Sequence, residues 1–284
     1  MTDKEKAALS GGHVSRRNML KGIVASALTA PLAGAALAEG GTTAGKHEDD
    51  SIDFSAQHAF YRQGAQVGIA TLPQRHIMFM TFDLTSNNPR DLQVLLARWS
   101  SAIDQMMKGE TIGQVEPLRV HGIGSDTGEA LELGPASLTV TVGLGPRIFS
   151  EELGLTQHKP ALMRDLKALP SDNLSPEFTG GDLSIQACAD DPQVVYHAVR
   201  NLARIAKSTG TAATRWSVLG FGRASAGKGQ TTPRNLFGYK DGTRNIVEPA
   251  DFDRYVWIND HGPAWQQGGS RTSASASSDV SLMW

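Results

Sequence analysis

Six patterned segments, in the order strand, helix, strand, strand, helix, strand, constrain this chain more than any other feature. Residues 75–84 (RHIMFMTFDL) are apolar on both faces, as in a strand covered on one or both sides. Asn88 and Pro89 then open a helix. Asparagine caps, proline fits the first helical position, and Asp91 lies in the first turn. Leu92, Leu95, Leu96, Trp99, Ile103, Met106 and Met107 recur at three- and four-residue steps, and Gly109 ends the run. The methionine pair reads as core filler. Residues 138–142 alternate as a second strand. Residues 182–189 form a third, with Leu183, Ile185 and Ala187 on one face and Cys188 as a buried thiol. Asp191 and Pro192 repeat the capping device ahead of Val194, Val195, Ala198, Val199, Leu202, Ile205 and Ala206, the buried face of a second helix. Residues 214–221 make the fourth strand, with Trp216 inside it.

Two helices against a four-stranded antiparallel sheet make an α+β, ferredoxin-like unit. Its Gly-rich stretch 110–135 is expected to be an ordered loop, and 143–160 a turn with a short helix around 149–153. A basic connector follows at 223–234. A segment holding Asp241-Gly242 and a short apolar run at 255–258 come next, and 262–270 looks like the approach to a new strand. Residues 271–284 (RTSASASSDVSLMW) then lose all period and capping. They read as a natural low-complexity tail or as a shifted reading frame. The second reading is favoured because the break falls where a second sheet should begin.

The composition is that of a soluble globular protein, with 40% hydrophobic and 20% charged residues. A net charge of −2 gives no basic field for nucleic acid. The one cysteine closes no intramolecular disulfide and builds no zinc or iron–sulfur ligand set. The N-terminus reads as an address. Ser15-Arg-Arg-Asn-Met-Leu-Lys21 precedes an apolar stretch at 22–37, and Ala36-Leu37-Ala38 offers a small-x-small cleavage pattern. Adjacent arginines make this the twin-arginine type, implying the twin-arginine translocase and a periplasmic or extracellular destination. The apolar stretch is shorter than the roughly 20 residues a spanning helix needs, although a retained anchor is the rival reading. The expected organisation is therefore a signal peptide at 1–38, a flexible leader at 39–60 and a first ferredoxin-like domain at 61–222. The start of a second would occupy 223–270, and an aberrant tail 271–284.

Lys240-Asp241-Gly242-Thr243 alone is compatible with a plain turn, because glycine tolerates positive φ. Its setting carries more. Gly238-Tyr-Lys-Asp-Gly-Thr-Arg-Asn245 resembles the G-x-x-D-G signature of dye-decolorising peroxidases. Other pieces resemble the same family in the same order: the twin-arginine signal, Gln63-Gly-Ala-Gln-Val-Gly-Ile69, Gly181-Asp-Leu-Ser-Ile-Gln-Ala-Cys188, Asn235-Leu-Phe-Gly238 and Trp265-Gln-Gln-Gly-Gly-Ser270. The resemblance runs over about 60–270 and is nearest to the exported bacterial branch that includes deferrochelatases.

The resemblance implies a duplicated ferredoxin-like fold holding haem b, with the second unit largely missing here. It implies that Asp241 is the distal acid–base group, moving a proton between the two oxygens of hydrogen peroxide. A carboxylate in that role predicts activity at acidic pH. Gly242, Thr243 and Arg244 would line the haem, and Asn245 matches a polar position next to the distal pocket. Arg244 and Ile246 depart from the pattern of that branch; Arg244 would meet a haem propionate or remain solvated. The resemblance puts the family's proximal histidine and distal arginine beyond residue 284, so no metal ligand is assigned. His121 and His261 sit in loops and are not matching positions. Trp257, Trp265, Tyr239 and Tyr255 are relay candidates, with packing the plainer role.

Three functions compete. One is a peroxidase oxidising aromatic, dye-like donors with hydrogen peroxide. Another is a haem-binding, deferrochelatase-type component of an iron-uptake permease system. The third is a non-catalytic remnant without haem. The family also implies homo-oligomers.

Overall fold

The computed structural model describes residues 52–62, 65–117, 119, 121–160, 163, 168–222, 234–235, 237–240, 246–258 and 272–273. The expected signal (1–38), the first part of the leader (39–51), Asp241, Gly242, Thr243, Arg244, Asn245, His261 and Trp265 lie outside the described residues. So does the tail, apart from residues 272 and 273. No helix among the described residues is long and apolar enough to cross a membrane.

The six segments fold in the expected order. Strand β1 (His76–Leu84) leads to helix α1 (Pro89–Met107), then to strands β2 (Thr139–Leu144) and β3 (Leu183–Ala189). Helix α2 (Pro192–Thr209) and strand β4 (Ala212–Phe221) complete the unit. The sheet order is β2-β3-β1-β4, and every pairing is antiparallel. This is the ferredoxin-like arrangement, with β1 and β3 central and both helices on one face.

Each helix starts where its local chemistry dictates. The Asn88 side chain accepts from the Arg90 N–H at 3.0 Å, and Asp91 sits in the first turn. The Asp191 carboxylate accepts from the Gln193 and Val194 N–H groups at 2.7 and 3.1 Å. Such a cap stabilises its helix by about 1 kcal/mol. α2 ends on Gly210, whose φ of +68° is the left-handed conformation that suits glycine.

The core lies between the helices and one face of the sheet. Register places Met80 opposite Ile185 and Phe82 opposite Leu183, so the apolar side chains of β1 and β3 share the helix-facing side. Leu95, Trp99, Ile103 and Phe82 are completely buried, as are Ile185 and Leu202. Met106 and Met107 pack in the same cluster. Trp99 is tied down at its polar end, its indole N–H donating to the Leu202 carbonyl of α2 at 2.9 Å.

The other sheet face is covered in part by two loops. Gly68 lies so close to Thr141 that a Cβ there would meet its Oγ1 at 2.4 Å. The 176–182 loop covers the far end. There the Trp216 indole donates to the Gly180 carbonyl at 3.1 Å, and Arg215 donates to the Thr179 carbonyl at 2.6 Å. Arg215 is the extra residue of a bulge between Thr81 and Phe82 of β1, which turns its side chain onto Asp83 at 3.0 Å. Near the end of β4, Leu219 and Phe221 are exposed.

Two local expectations need correction. The stretch 149–153 forms turns, not a helix; the short helical turns fall on either side, at Pro146–Ile148 and Thr156–His158. Pro146 opens the first of them, and the few residues beyond lack an apolar stripe long enough to repay helix nucleation. The serine-rich tail is not wholly without pairing, since Thr272–Ser273 pairs antiparallel with Trp257–Ile258.

Candidate functional site

The described approach to Asp241 is a tight turn built around one side chain. Asn235 uses its backbone carbonyl, its backbone N–H and its side-chain oxygen. Its carbonyl accepts from the Gly238 N–H at 2.9 Å, and its own N–H donates to the Tyr239 carbonyl at 3.0 Å. Its Oδ1 accepts from the N–H groups of Phe237 and Tyr239, both at 3.1 Å. Asparagine suits this position because its short amide reaches backbone two and four residues on. Gly238 takes φ +82°, and nothing lies within 4 Å of where a Cβ would stand. The Arg234 guanidinium closes the turn by donating to the Gly238 carbonyl at 2.7 Å, and Arg234 pairs across it with Lys240. The residue after Lys240 is Asp241.

After the motif, Pro249–Asp251 begins a helical turn that continues through Phe252–Val256. Phe252 stacks obliquely on Trp257, with ring centroids 6.3 Å apart, and the Arg254 guanidinium lies 5.0 Å from the Tyr255 ring centre. Phe237, Tyr239 and Tyr255 are exposed, at 86%, 73% and 56%. Among the described residues, Tyr239 and Tyr255 are therefore exposed and not part of the buried core.

A second polar constellation escaped the sequence reading. His197 of α2 and Asp126 of the 110–135 loop are both buried, with Nε2 and Oδ1 2.7 Å apart. Asp126 also accepts from the N–H groups of Gly128 at 2.7 Å and Ile112 at 2.9 Å. One turn along α2, the Asn201 Oδ1 accepts from the Thr127 N–H, and its amide donates to the Thr127 hydroxyl. Arg200 pairs with Glu129 at 2.5 Å, and Arg204 donates to the Gly124 carbonyl at 2.7 Å. The expected ordered loop is thus bolted to successive turns of one helix. Burial pushes the Asp126 carboxyl up, but the hydrogen bonds from His197, Ile112 and Gly128 outweigh it and hold the group below its ordinary 3.8. Only the i, i+4 spacing of His197 and Asn201 beside an apolar stripe hinted at this.

Two described histidines are hydrogen-bonded through Nε2: His197 to Asp126, and His58 to the Ser137 hydroxyl at 2.9 Å; His121 is exposed. Among the described residues no group of three or more His, Cys, Asp or Glu side chains is placed to hold a metal ion.

Comparison with known proteins gives consistent relatives. The Dyp-type peroxidase N-terminal family model matches residues 66–222, and the C-terminal model matches 232–275. The chain is similar to the deferrochelatase of Shigella flexneri serotype 5b, 30% identical over 264 residues. That match covers 90% of this chain and 60% of the relative, so the chain spans about three fifths of its length. Among solved structures it is similar to a DyP-type peroxidase from Streptomyces coelicolor at TM-score 0.64 and 36% identity, covering 75% of this chain and 54% of that one. It is also similar to ferric DtpA from Streptomyces lividans at TM-score 0.62 and 36% identity, covering 72% and 52%. The N-terminal match alone takes in both helices and all four strands of the sheet, and on that ground the chain belongs to the DyP-type peroxidase family.

Proposed function

We propose that the chain serves a haem-dependent peroxidase that uses hydrogen peroxide to oxidise aromatic, dye-like donors. One observation carries the reading: the C-terminal family model runs through 232–275 and so across Gly238 to Asn245, the segment with the G-x-x-D-G spacing. The similarity to a ferric structure of a DyP relative supports an iron cofactor of the same kind.

The described residues fit one border of a haem site. Phe237 and Tyr239 offer uncovered aromatic rings for a flat apolar ligand, and the space at Gly238 is open. They supply no axial imidazole, which the resemblance puts in the portion of its relatives that this chain does not span. When bound, haem would supply the redox centre that takes oxidising equivalents from peroxide and passes them to donors. The chain's own part falls to Asp241. Its carboxylate takes the proton from one peroxide oxygen and returns it to the other, which leaves as water. Gly242, Thr243 and Arg244 border the cofactor in this reading, and Asn245 keeps the pocket polar. The twin-arginine segment supports export of the folded, loaded protein to the periplasm or beyond.

A second reading has a specific observation in its favour. Deferrochelatases are the curated relatives at 30% identity, which supports haem-iron recovery alongside an iron-uptake permease. One experiment separates the two. The chain is loaded with haem and mixed first with hydrogen peroxide plus an anthraquinone dye, then with a ferrous chelator. Dye bleaching that Asp241→Asn reduces on the order of 10²-fold supports the peroxidase. Iron release with an intact porphyrin spectrum supports recovery. Dye bleaching that Asp241→Asn leaves unchanged sinks the role of Asp241 in the first reading, and a haem-loaded protein that keeps its iron sinks the second.

A further inference from the structure

We propose that Ser137 is a nucleophile served by His58, and that the pair forms a second reactive site, one that takes small activated esters. This goes beyond the peroxidase reading and does not rest on it. The Ser137 hydroxyl lies 2.9 Å from Nε2 of His58, 79 residues away in sequence. Both residues are half-buried. A serine in hydrogen-bond contact with an imidazole is the arrangement that turns a weak hydroxyl into a nucleophile. Asp190 supplies a third group. Its charge acts on the His58 ring, and its N–H donates at 2.9 Å to the carbonyl of Ala136, the residue before the serine.

The backbone holds this serine in an unusual conformation. Ala136 and Ser137 have φ of +46° and +59°, in the left-handed region that residues with a side chain seldom enter. Four hydrogen bonds keep them there. Their N–H groups donate to the carbonyls of Phe54 and Ala56 at 2.8 and 2.9 Å, the Ala136 carbonyl accepts from Asp190, and the Ser137 carbonyl accepts from the Gln74 amide at 3.0 Å. The bond to Ala56 also brings in His58, two residues further on. Backbone strain over-determined by its surroundings is a feature of reactive serines. Burial pulls the His58 ring below its ordinary 6.5 and outweighs the Asp190 charge that pulls it up, so at pH 8 the ring is neutral and can take a proton. In the proposed step Oγ attacks the ester carbonyl carbon while Nε2 takes the hydroxyl proton. The bond to the leaving oxygen breaks, and that proton goes to the departing alcohol. Water then attacks the acyl-serine in the same way, releasing the carboxylic acid and restoring Ser137. The N–H groups of Ser137 and Leu138 are already bonded to the carbonyls of Ala56 and Pro135, so neither steadies an oxyanion. That limits the substrate class to esters whose alcohol leaves easily.

The test uses the full 284-residue chain at pH 8, unaltered and as Ser137→Ala and His58→Gln. Two probes are applied. A fluorophosphonate loses fluoride to a reactive hydroxyl and leaves an adduct that peptide mapping by mass locates. p-Nitrophenyl acetate reports ester hydrolysis. The adduct is expected on Ser137 in the folded chain, forming on the order of 10²-fold faster than on the same chain in urea. Glutamine at position 58 can still hydrogen-bond to the hydroxyl but cannot take its proton, so a merely structural contact would survive the change. His58→Gln should lose on the order of 10²-fold in labelling rate with an unchanged urea midpoint. Ser137→Ala should hydrolyse the ester no faster than the unfolded chain. The inference is overturned by an adduct that forms only elsewhere, by equal labelling in buffer and in urea, or by His58→Gln labelled at the unaltered rate. Should His58→Gln fail to fold, the comparison of the unaltered chain in buffer and in urea decides alone.

Discussion

Asp126 and His197, 71 residues apart in sequence, meet at 2.7 Å in the interior and fix the 110–135 loop to α2. Asp126 is the hub of that contact, since it also accepts from Ile112 and Gly128. Asp126→Ala would strand two part-buried N–H groups and one buried imidazole together. The expected cost is about 3 kcal/mol, read as a lower urea midpoint with an unchanged m-value. Hydrogen exchange should accelerate in 110–135 before it does in the sheet.

The same carboxylate sets an acid limit. Its folded value lies below the ordinary 3.8, so the stability it contributes is complete above about pH 4 and is lost as pH falls through the folded value. Unfolding midpoints measured from pH 6 down to 2 should show the unaltered chain losing stability below pH 4. Asp126→Asn should start lower and lose less over that window. Parallel curves for the two proteins would mean that the acid sensitivity resides elsewhere.

Trp99 links the two helices through a hydrogen bond as well as by bulk. Trp99→Phe keeps an aromatic ring against Phe82, whose centroid lies 5.2 Å away, but removes the donor to Leu202 and some volume. The expected loss is about 2 kcal/mol in guanidinium unfolding. A loss as large as that for Trp99→Ala would mean that the indole N–H matters more than packing.

Much of this architecture was legible in the chain because periodicity is a local signal. Asn88-Pro89 and Asp191-Pro192 marked both helix starts, and the alternation of Leu183, Ile185 and Ala187 gave a strand with the right face inward. What stayed hidden depends on partners distant in sequence. Nothing near Asp126 announces His197, and nothing near His197 distinguishes a buried imidazole from a solvated one. Arg215 looked like one more strand residue until the bulge opposite Thr81 and Phe82 gave it Asp83. The short helix expected at 149–153 failed because five residues carry too little periodicity to distinguish a helix from consecutive turns. For the candidate site, the motif around Asp241 was visible as spacing. The hydrogen bonds that Asn235 makes in the turn before it were not, because an Asx turn reads in sequence as one asparagine among many.

Cys188 offers a probe of the partly covered sheet face. Burial pushes its thiol up to about 11, against a weaker pull from Gln186. At pH 8 that leaves roughly one part in a thousand as thiolate. Iodoacetamide should therefore modify the folded chain at least on the order of 100-fold more slowly than the chain in urea. Equal rates would show that the face carrying Cys188, Gln186 and Ser184 opens freely in solution.

Gln66 supplies what the outer edge of β2 would otherwise lack. Its Nε2 donates to the Val142 carbonyl at 2.9 Å, and its Oε1 accepts from the Val142 N–H at 2.7 Å, so one side chain imitates a neighbouring strand. Gln74 works beside it, donating to the Ser137 carbonyl at 3.0 Å and to the Thr139 hydroxyl at 2.9 Å. An uncovered edge is a template for pairing with another chain. Gln66→Leu keeps the side chain's bulk and removes both bonds. It should cost about 1 kcal/mol, raise exchange at the Val142 amide and increase light scattering on mild heating. Gln66→Glu keeps the acceptor and loses the donor, and at neutral pH it sets a carboxylate against the Val142 carbonyl. It should protect the amide better than leucine does, yet gain little stability over it. If both variants behave like the unaltered chain, backbone contacts around residues 65–69 are enough to guard the edge. The amide pair would then contribute to packing alone.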